Sequence, residues 1–392
     1  MPACMQPTAC PEMTRCIGYR HSSPPAAAIR QLKDSRRARS DADAINKVIM
    51  RTKPTASGSD PILLSHGGGG LLTRRLVKEL IVRHLGNSIL NELDDGALLK
   101  IKEKDAVFTT DSYVVRPIVF PGGDIGRLAA CGTINDLVMM GAEPRFLSLG
   151  LILEEGLPMA DLERALASMR AALRGCGAKV VTGDTKVVER GMGFGMFINT
   201  AGVGFRVRGA DTRVANASPG DAVIVTGPVG DHGAAVMSCR AGVSLRSELK
   251  SDVAPLWGML APVLRCGPRI HCLRDPTRGG LAAALNDIAE ASGTGIRIAE
   301  SAIPVRKEVR GVCGLLGLDP LNLACEGRAV VICPRRASGA ILQRIRSHPI
   351  GRKAEVIGRV CKGHPGMVIL ETAFGGERII EIPTGEDLPR IC

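Results

Sequence analysis

From residue 59 onward the apolar positions follow two alternating rhythms. Short apolar runs such as "AVFTTDSYVV", "RFLSLGLIL" and "DAVIV" read as strands, "PILLS" is a short apolar run ahead of a glycine loop, and "MFINTAGVGF" closes a first unit near residue 206. Between them lie longer stretches with apolar residues every third or fourth position. In "LLTRRLVKELIVRHLG", Leu72, Leu76, Leu80 and Leu85 fall on one helical face and Gly86 supplies a stop. "DIGRLAACGTINDLVMMGA" reads as a helix with Asn135 and Asp136 inside its apolar stretch, and "MADLERALASMRAALRGCG" as an amphipathic helix. "AVFTTDSYVV" reads as a buried strand broken by Asp111, and "KVVTGDTKVV" as strand, turn and strand around Asp184. "LRDPTRGGLAAALNDIAEASG" is a loop entering a helix, with Thr277 expected as its N-cap. "EGRAVVICP" and "GMVILETA" read as strands around a helix containing "AILQRIRSH".

The alternation predicts an α/β (α+β) protein of two units, 59–208 and 209–380. Residues 1–58 lack sustained periodicity and are rich in Pro, Ser, Ala and Arg. They are expected to be a disordered extension or sequence ahead of a true start at Met50, although the early, acid-poor part also resembles a transit peptide. Residues 381–392, "EIPTGEDLPRIC", form a tail that Pro383 and Pro389 stiffen toward extended geometry. Twelve extended residues span at most ~40 Å, so a terminal thiol could leave the body of the protein and return.

Composition narrows the function classes. The net charge of +12 first suggests a nucleic-acid binder. Residues 1–58 carry ten Lys and Arg against four Asp and Glu, a net of +6; the other 334 carry 41 against 35, again +6. The folded part is thus only mildly basic. One Trp, two Tyr and seven Phe leave little to stack on bases, so no nucleic acid is expected. No apolar run approaches the ~18 residues of a membrane span. The 13 cysteines are an odd number without C-x-x-C spacing, and Cys131, Cys176 and Cys333 lie in apolar contexts, which suits a reducing cytoplasm.

The candidate chemistry is acidic. Asp111, Asp136, Asp184 and Asp275 lie in or beside apolar or glycine-rich sequence. Buried carboxylates need partners, and a hard cation such as Mg²⁺, completed by a triphosphate, would serve several together. Each alone also fits a turn or cap. Lys186 could neutralise a transferring phosphoryl group and Glu326 could act as a base, or each could be an ion-pair member. The loop His66-Gly67-Gly68-Gly69-Gly70 precedes a helix and could cradle phosphate or simply turn the chain.

"HGGGG", "TTDSYVV", "GRLAACGTINDLVMMGAEP", "VTGDTKVV", "GPVGDHG", "LRDPTRGGLA", "CEGR" and a terminal "PRIC" occur in that order. Together they resemble the HypE family, carbamoyl dehydratases of nickel–iron hydrogenase maturation in the aminoimidazole ribonucleotide synthetase (PurM-like) superfamily. The likeness covers about 62–392. It implies a two-domain PurM-like fold whose N-terminal domains pair as a homodimer into a barrel-like core. A HypF-like carbamoyltransferase would load Cys392, an ATP-dependent dehydration would leave a thiocyanate there, and a HypC–HypD-like iron scaffold would accept the cyanide. On this resemblance Cys392 is the acceptor, and Asp111, Asp136, Asp184 and Asp275 hold Mg²⁺–ATP. Lys186 and Glu326 serve phosphoryl stabilisation and proton abstraction. His66, Gly67, Gly68, Gly69, Gly70, Gly183 and Thr185 lie beside the nucleotide. Relatives usually carry Asn where this chain has Cys325. Two rivals share parts of the pattern. Another PurM-like enzyme is disfavoured by the terminal cysteine and by the lack of Cys and Lys near the glycine loop. A non-catalytic carrier would have no use for four Mg²⁺-suited carboxylates.

Overall fold

The computed structural model describes residues 61–63, 66, 72, 75–92, 105–242, 248–266 and 270–382. Gly67–Gly70, the stretch 1–58 and the end of the tail with Cys392 lie outside the described residues. Leu76, Leu80 and Leu85 are buried as their spacing requires, but Leu76–Ile81 is a π-helical stretch that runs into α1 (Val82–Leu85). Gly86 ends it, its N–H donating to Val82 O at 2.8 Å.

A mixed four-stranded sheet follows, in the order β1 (Ala106–Tyr113), β6 (Met196–Arg206), β4 (Ala142–Glu154), β5 (Lys179–Val188). A short antiparallel pair, β2 (Val119–Phe120) and β3 (Gly123–Asp124), leads into α2 (Ile125–Met139), which with α3 (Met159–Arg174) covers one face. On that face Leu147, Leu149, Leu151 and Leu153 of β4 meet Leu128, Ile134, Leu162, Leu166 and Met169. Each such side chain contributes about 1.5–3 kcal/mol on burial. The period of two then sends the neighbouring residues to the opposite, uncovered face. Phe108 is 70% exposed there and Ile152 43%.

Two strand expectations are corrected. β5 is one continuous strand rather than two around a turn. Its parallel pairing with β4 runs through Gly150↔Asp184, and a side chain at Gly183 would start 2.4 Å from Leu149 O, so only glycine permits that approach. Asp111 does not break β1: it pairs with Thr200, and β1 is half exposed because only one face has helices.

The second sheet has seven strands, in the order β13 (Glu377–Ile380), β12 (Val368–Glu371), β9 (Gly295–Ala299), β11 (Glu355–Cys361), β7 (Asp221–Val225), β10 (Val330–Pro334), β8 (Cys272–Arg274). Helices α5 (Trp257–Cys266) and α8 (Arg335–Arg346) share an apolar cluster with Ile224, Val331 and Cys333. α6 (Gly280–Ser292) packs Leu281, Leu285 and Ile288 with Val223, Val225 and Ile332, on the alternate face. The cluster containing α5 and α8 also contains α2 and β4, so a continuous apolar core joins the two sheets. Two further helices, α4 (Asp231–Arg240) and α7 (Lys307–Leu316), contact each other.

Candidate active site

The end of β1, the middle of α2, the loop leading to α6 and the turn before β10 converge on a cavity of about 220 Å³. Asp111, Tyr113, Asp136, Asp275, Arg278 and Glu326 are among its lining residues. Three of the four sequence-predicted metal ligands and one of the two charged catalytic candidates are therefore brought together.

Each is placed by specific partners. Thr109 Oγ1 donates to Asp136 Oδ2 at 2.8 Å, and Tyr113 Oη donates to Asp111 Oδ2 at 3.1 Å. Tyr113 fits because position 132 is glycine; a Cβ there would lie 2.2 Å from the phenolic oxygen. Arg278 reaches Asp111 Oδ1 at 3.6 Å. Glu326, buried, sits in a turn whose next residue, Gly327, lies against Asp252 O too closely for any side chain.

Burial, then the nearby Asp275 and Asp111 carboxylates, push the Asp136 carboxyl up to about 7. Burial also raises Asp275, with Asp111 adding repulsion against the opposing pull of Arg274. Tyr113 is held well above the usual phenol range by burial and the Asp111 charge. Crowded carboxylates of this kind invite a cation. Among the described residues no group of three or more His, Cys, Asp or Glu side chains forms a metal cage by itself. An oxygen-only donor set of this kind suits a hard cation, by the chemistry of its ligands.

Of the other predicted residues that the structure describes, His66, Gly183, Asp184, Thr185 and Lys186 are not among those lining the cavity. Asp184 and Lys186 pair at 3.3 Å on β5, but they occupy the uncovered face of the sheet, with side chains 70% and 66% exposed. The period-two alternation separates them from Asp111 and Asp136. Thr185, between them, is buried on the helix-covered face; Gly183 shares that side. His66 Nδ1 accepts from Leu63 N at 2.9 Å. Thr277 lines the cavity but does not cap α6: the helix starts at Gly280 after Gly279 at φ +70°, a left-handed conformation that glycine tolerates. Cys325 is buried and its sulfur accepts from Gly230 N at 3.1 Å, so the thiol satisfies the backbone there. Burial raises its pKa well above the usual thiol range.

Asn135, noted in the sequence only as a polar residue inside an apolar helix, acquires a role here. Its Nδ2 donates to Ala254 O at 3.1 Å and Glu326 O at 3.2 Å, while Oδ1 accepts from Leu256 N at 2.8 Å. A buried amide inside an apolar helix was the available signal.

The fold is that of the two-domain PurM-like class. Residues 93–206 match the family model for the AIR synthase related protein N-terminal domain, and 218–371 that for the C-terminal domain. Carbamoyl dehydratase HypE of Azotobacter vinelandii is 48% identical over 327 residues, covering 83% of this chain and 96% of the relative. A crystal structure of the hydrogenase maturation protein HypE in complex with ATP superposes with TM-score 0.82 at 46% identity, over 84% of this chain and 99% of that one. A HypE–HypF complex contains a chain that matches with TM-score 0.68 at 43% identity, over 79% and 99%. The chain belongs to the HypE family of carbamoyl dehydratases.

Proposed function

We propose that this dehydratase removes water from a carbamoyl group carried as a thiocarbamate on Cys392, at the expense of ATP, and leaves a thiocyanate that supplies cyanide to hydrogenase iron. The observation that carries the reading is the gathering of Asp111, Asp136, Asp275 and Glu326 around one cavity. An amide oxygen is a poor leaving group. In the first step it attacks the γ-phosphorus of ATP and ADP departs. In the second the C–O bond breaks, releasing inorganic phosphate. The two N–H protons are lost and the nitrogen electrons complete a C≡N bond. Asp111, Asp136 and Asp275 would hold Mg²⁺ with the phosphates, and the cation would offset charge on the transferring phosphoryl group. Arg278, Thr277 and the start of α6 are suited to the phosphate chain. Glu326 would accept a proton from the nitrogen. A relative's structure with bound ATP supports the nucleotide assignment.

The site is completed, on this reading, by a second copy. Phe108 and Ile152 leave an apolar face uncovered beside Asp184 and Lys186. Two such faces packed together would close a barrel-like core and bring each Lys186 toward a neighbour's nucleotide. Cys392 on its tail would receive the carbamoyl group from a HypF-like transferase, consistent with the HypE–HypF complex of a relative. It would then deliver cyanide to a HypC–HypD-like scaffold. Tethering raises the effective concentration of the reactant.

ATP binding and turnover by the Asp136→Asn variant beside wild type test the assignment. At least a tenfold loss of Mg²⁺-dependent ATP affinity or turnover is expected. Equal behaviour of the two proteins would favour a carrier that displays a modified cysteine without using ATP.

A further inference from the structure

We infer that Asn135 and Asp252 form a clamp on the Glu326 peptide that sets the distance between the proton acceptor and the Asp136 carboxylate on α2. This inference rests on the reading of Glu326 as the base. Glu326 lies 191 residues from Asn135 in sequence, in the turn before β10, whereas Asn135 sits next to Asp136 on α2. The carbonyl of Glu326 accepts from Asn135 Nδ2 at 3.2 Å and from Ala254 N at 3.4 Å. Its N–H donates to Asp252 Oδ1 at 3.1 Å. Both backbone polar groups of one residue are thus held by side chains from elsewhere in the fold.

The clamp is itself anchored. Asn135 uses its other contacts, to Ala254 O and Leu256 N, to fix the segment that carries Asp252. Arg127, two turns earlier on α2, donates to Val253 O at 2.9 Å. Asp252 Oδ2 lies 3.5 Å from Arg328 Nε, and Arg328 donates to Gly327 O at 2.9 Å and Pro228 O at 3.0 Å. Asn135 is buried, and its amide has one orientation that satisfies all three contacts. One turn of α2 therefore supplies a cavity carboxylate and also grips the element bearing the base. Asn135 touches no reacting atom; it is a positioning residue. Displacing a catalytic group by ~1 Å can cost on the order of a hundredfold in rate.

The test uses full-length protein with Cys392 carbamoylated, and follows single-turnover water loss by mass spectrometry at saturating Mg²⁺–ATP. Wild type, N135D, E326Q and the N135D/E326Q double variant are compared, with unfolding midpoint and ATP affinity measured on each. Asp at 135 keeps the acceptor for Leu256 N but turns an oxygen toward two carbonyls. N135D is expected to slow water loss about tenfold or more while ATP affinity stays within about threefold of wild type. The double variant is expected to be no slower than E326Q, because Asn135 acts through Glu326. A wild-type rate for N135D beside a slow E326Q overturns the clamp and leaves the base reading standing. A wild-type rate for E326Q overturns the base reading and the clamp with it. A double variant slower than E326Q by the full N135D factor gives Asn135 an independent role and also overturns the clamp. Should N135D fail to fold, D252N and D252A serve instead. Asn at 252 keeps an oxygen for the Glu326 N–H, so D252N is expected to be faster than D252A, and equal rates contradict the clamp.

Discussion

Asp136 concentrates the electrostatic tension of the cavity. Folding raises its proton affinity to about 7, first by burial and then by Asp275 and Asp111. The folded chain therefore binds this proton more tightly than the unfolded chain, whose carboxyl lies near ~3.9. The stability contributed is full below the unfolded value and is lost as pH rises toward 7. Asp136→Asn removes that loss. Without nucleotide, its melting temperature at pH 8 should exceed wild type by about 2 °C or more, with the gain shrinking toward pH 4. Asp231, raised into the same range chiefly by burial, is common to both proteins and cancels, so the difference reports Asp136 together with its effect on neighbouring Asp275. Equal melting at pH 8, read by calorimetry across this span, contradicts the account. Asp111, Asp136, Asp275 and Glu326 were legible in the sequence because a charge inside apolar or glycine-rich surroundings needs a reason. The role of Asn135 was not, because its partners Ala254, Leu256 and Glu326 are brought to it only by the tertiary fold.

At the scale of elements, hydrophobic spacing identified α2, α3, β4, β7 and β10, whose patterns suit their packed environments. It misjudged β5, where Gly183-Asp184 resembles a turn but sits in continuous parallel pairing, because glycine here answers a close approach to Leu149. That strand matters for the site, since it holds Asp184 and Lys186 on the uncovered face. On the proposed dimer, Ile152→Lys should place a cation in the pairing surface. Analytical ultracentrifugation should then show a shift toward monomer and activity should fall about tenfold or more; an unchanged dimer contradicts this use of the face. If Lys186 serves a neighbouring copy, mixing inactive Lys186→Ala and Glu326→Gln chains should restore turnover. In a mixed dimer one site carries both lesions and the other neither, so about half of the mixed dimers' sites should work. No recovery on subunit exchange would confine Lys186 to its own chain or remove it from catalysis.

At the scale of the described fold, the continuous apolar core holds α2 and the seven-stranded sheet in one packed body, and the polar cavity lies along it. Among the described residues no helix is long and apolar enough to cross a membrane. The sequence reading divides the chain into 59–208 and 209–380, and the cavity draws on both sides of that division. Asp136 comes from one and Glu326 from the other. The reading of the tail rests on the sequence and the family resemblance alone, because residues 383–392 lie outside the described residues. The central claim concerns Cys392 and is tested most directly by intact and C-terminal-peptide mass spectrometry. The full-length protein is incubated with a HypF-like transferase, carbamoyl phosphate and ATP to load the thiol, and then given Mg²⁺–ATP for turnover. The account predicts gain of one carbamoyl group on Cys392, followed by loss of one water from the same residue. Carbamoyl gain that persists without water loss, or gain at any other residue, would contradict it.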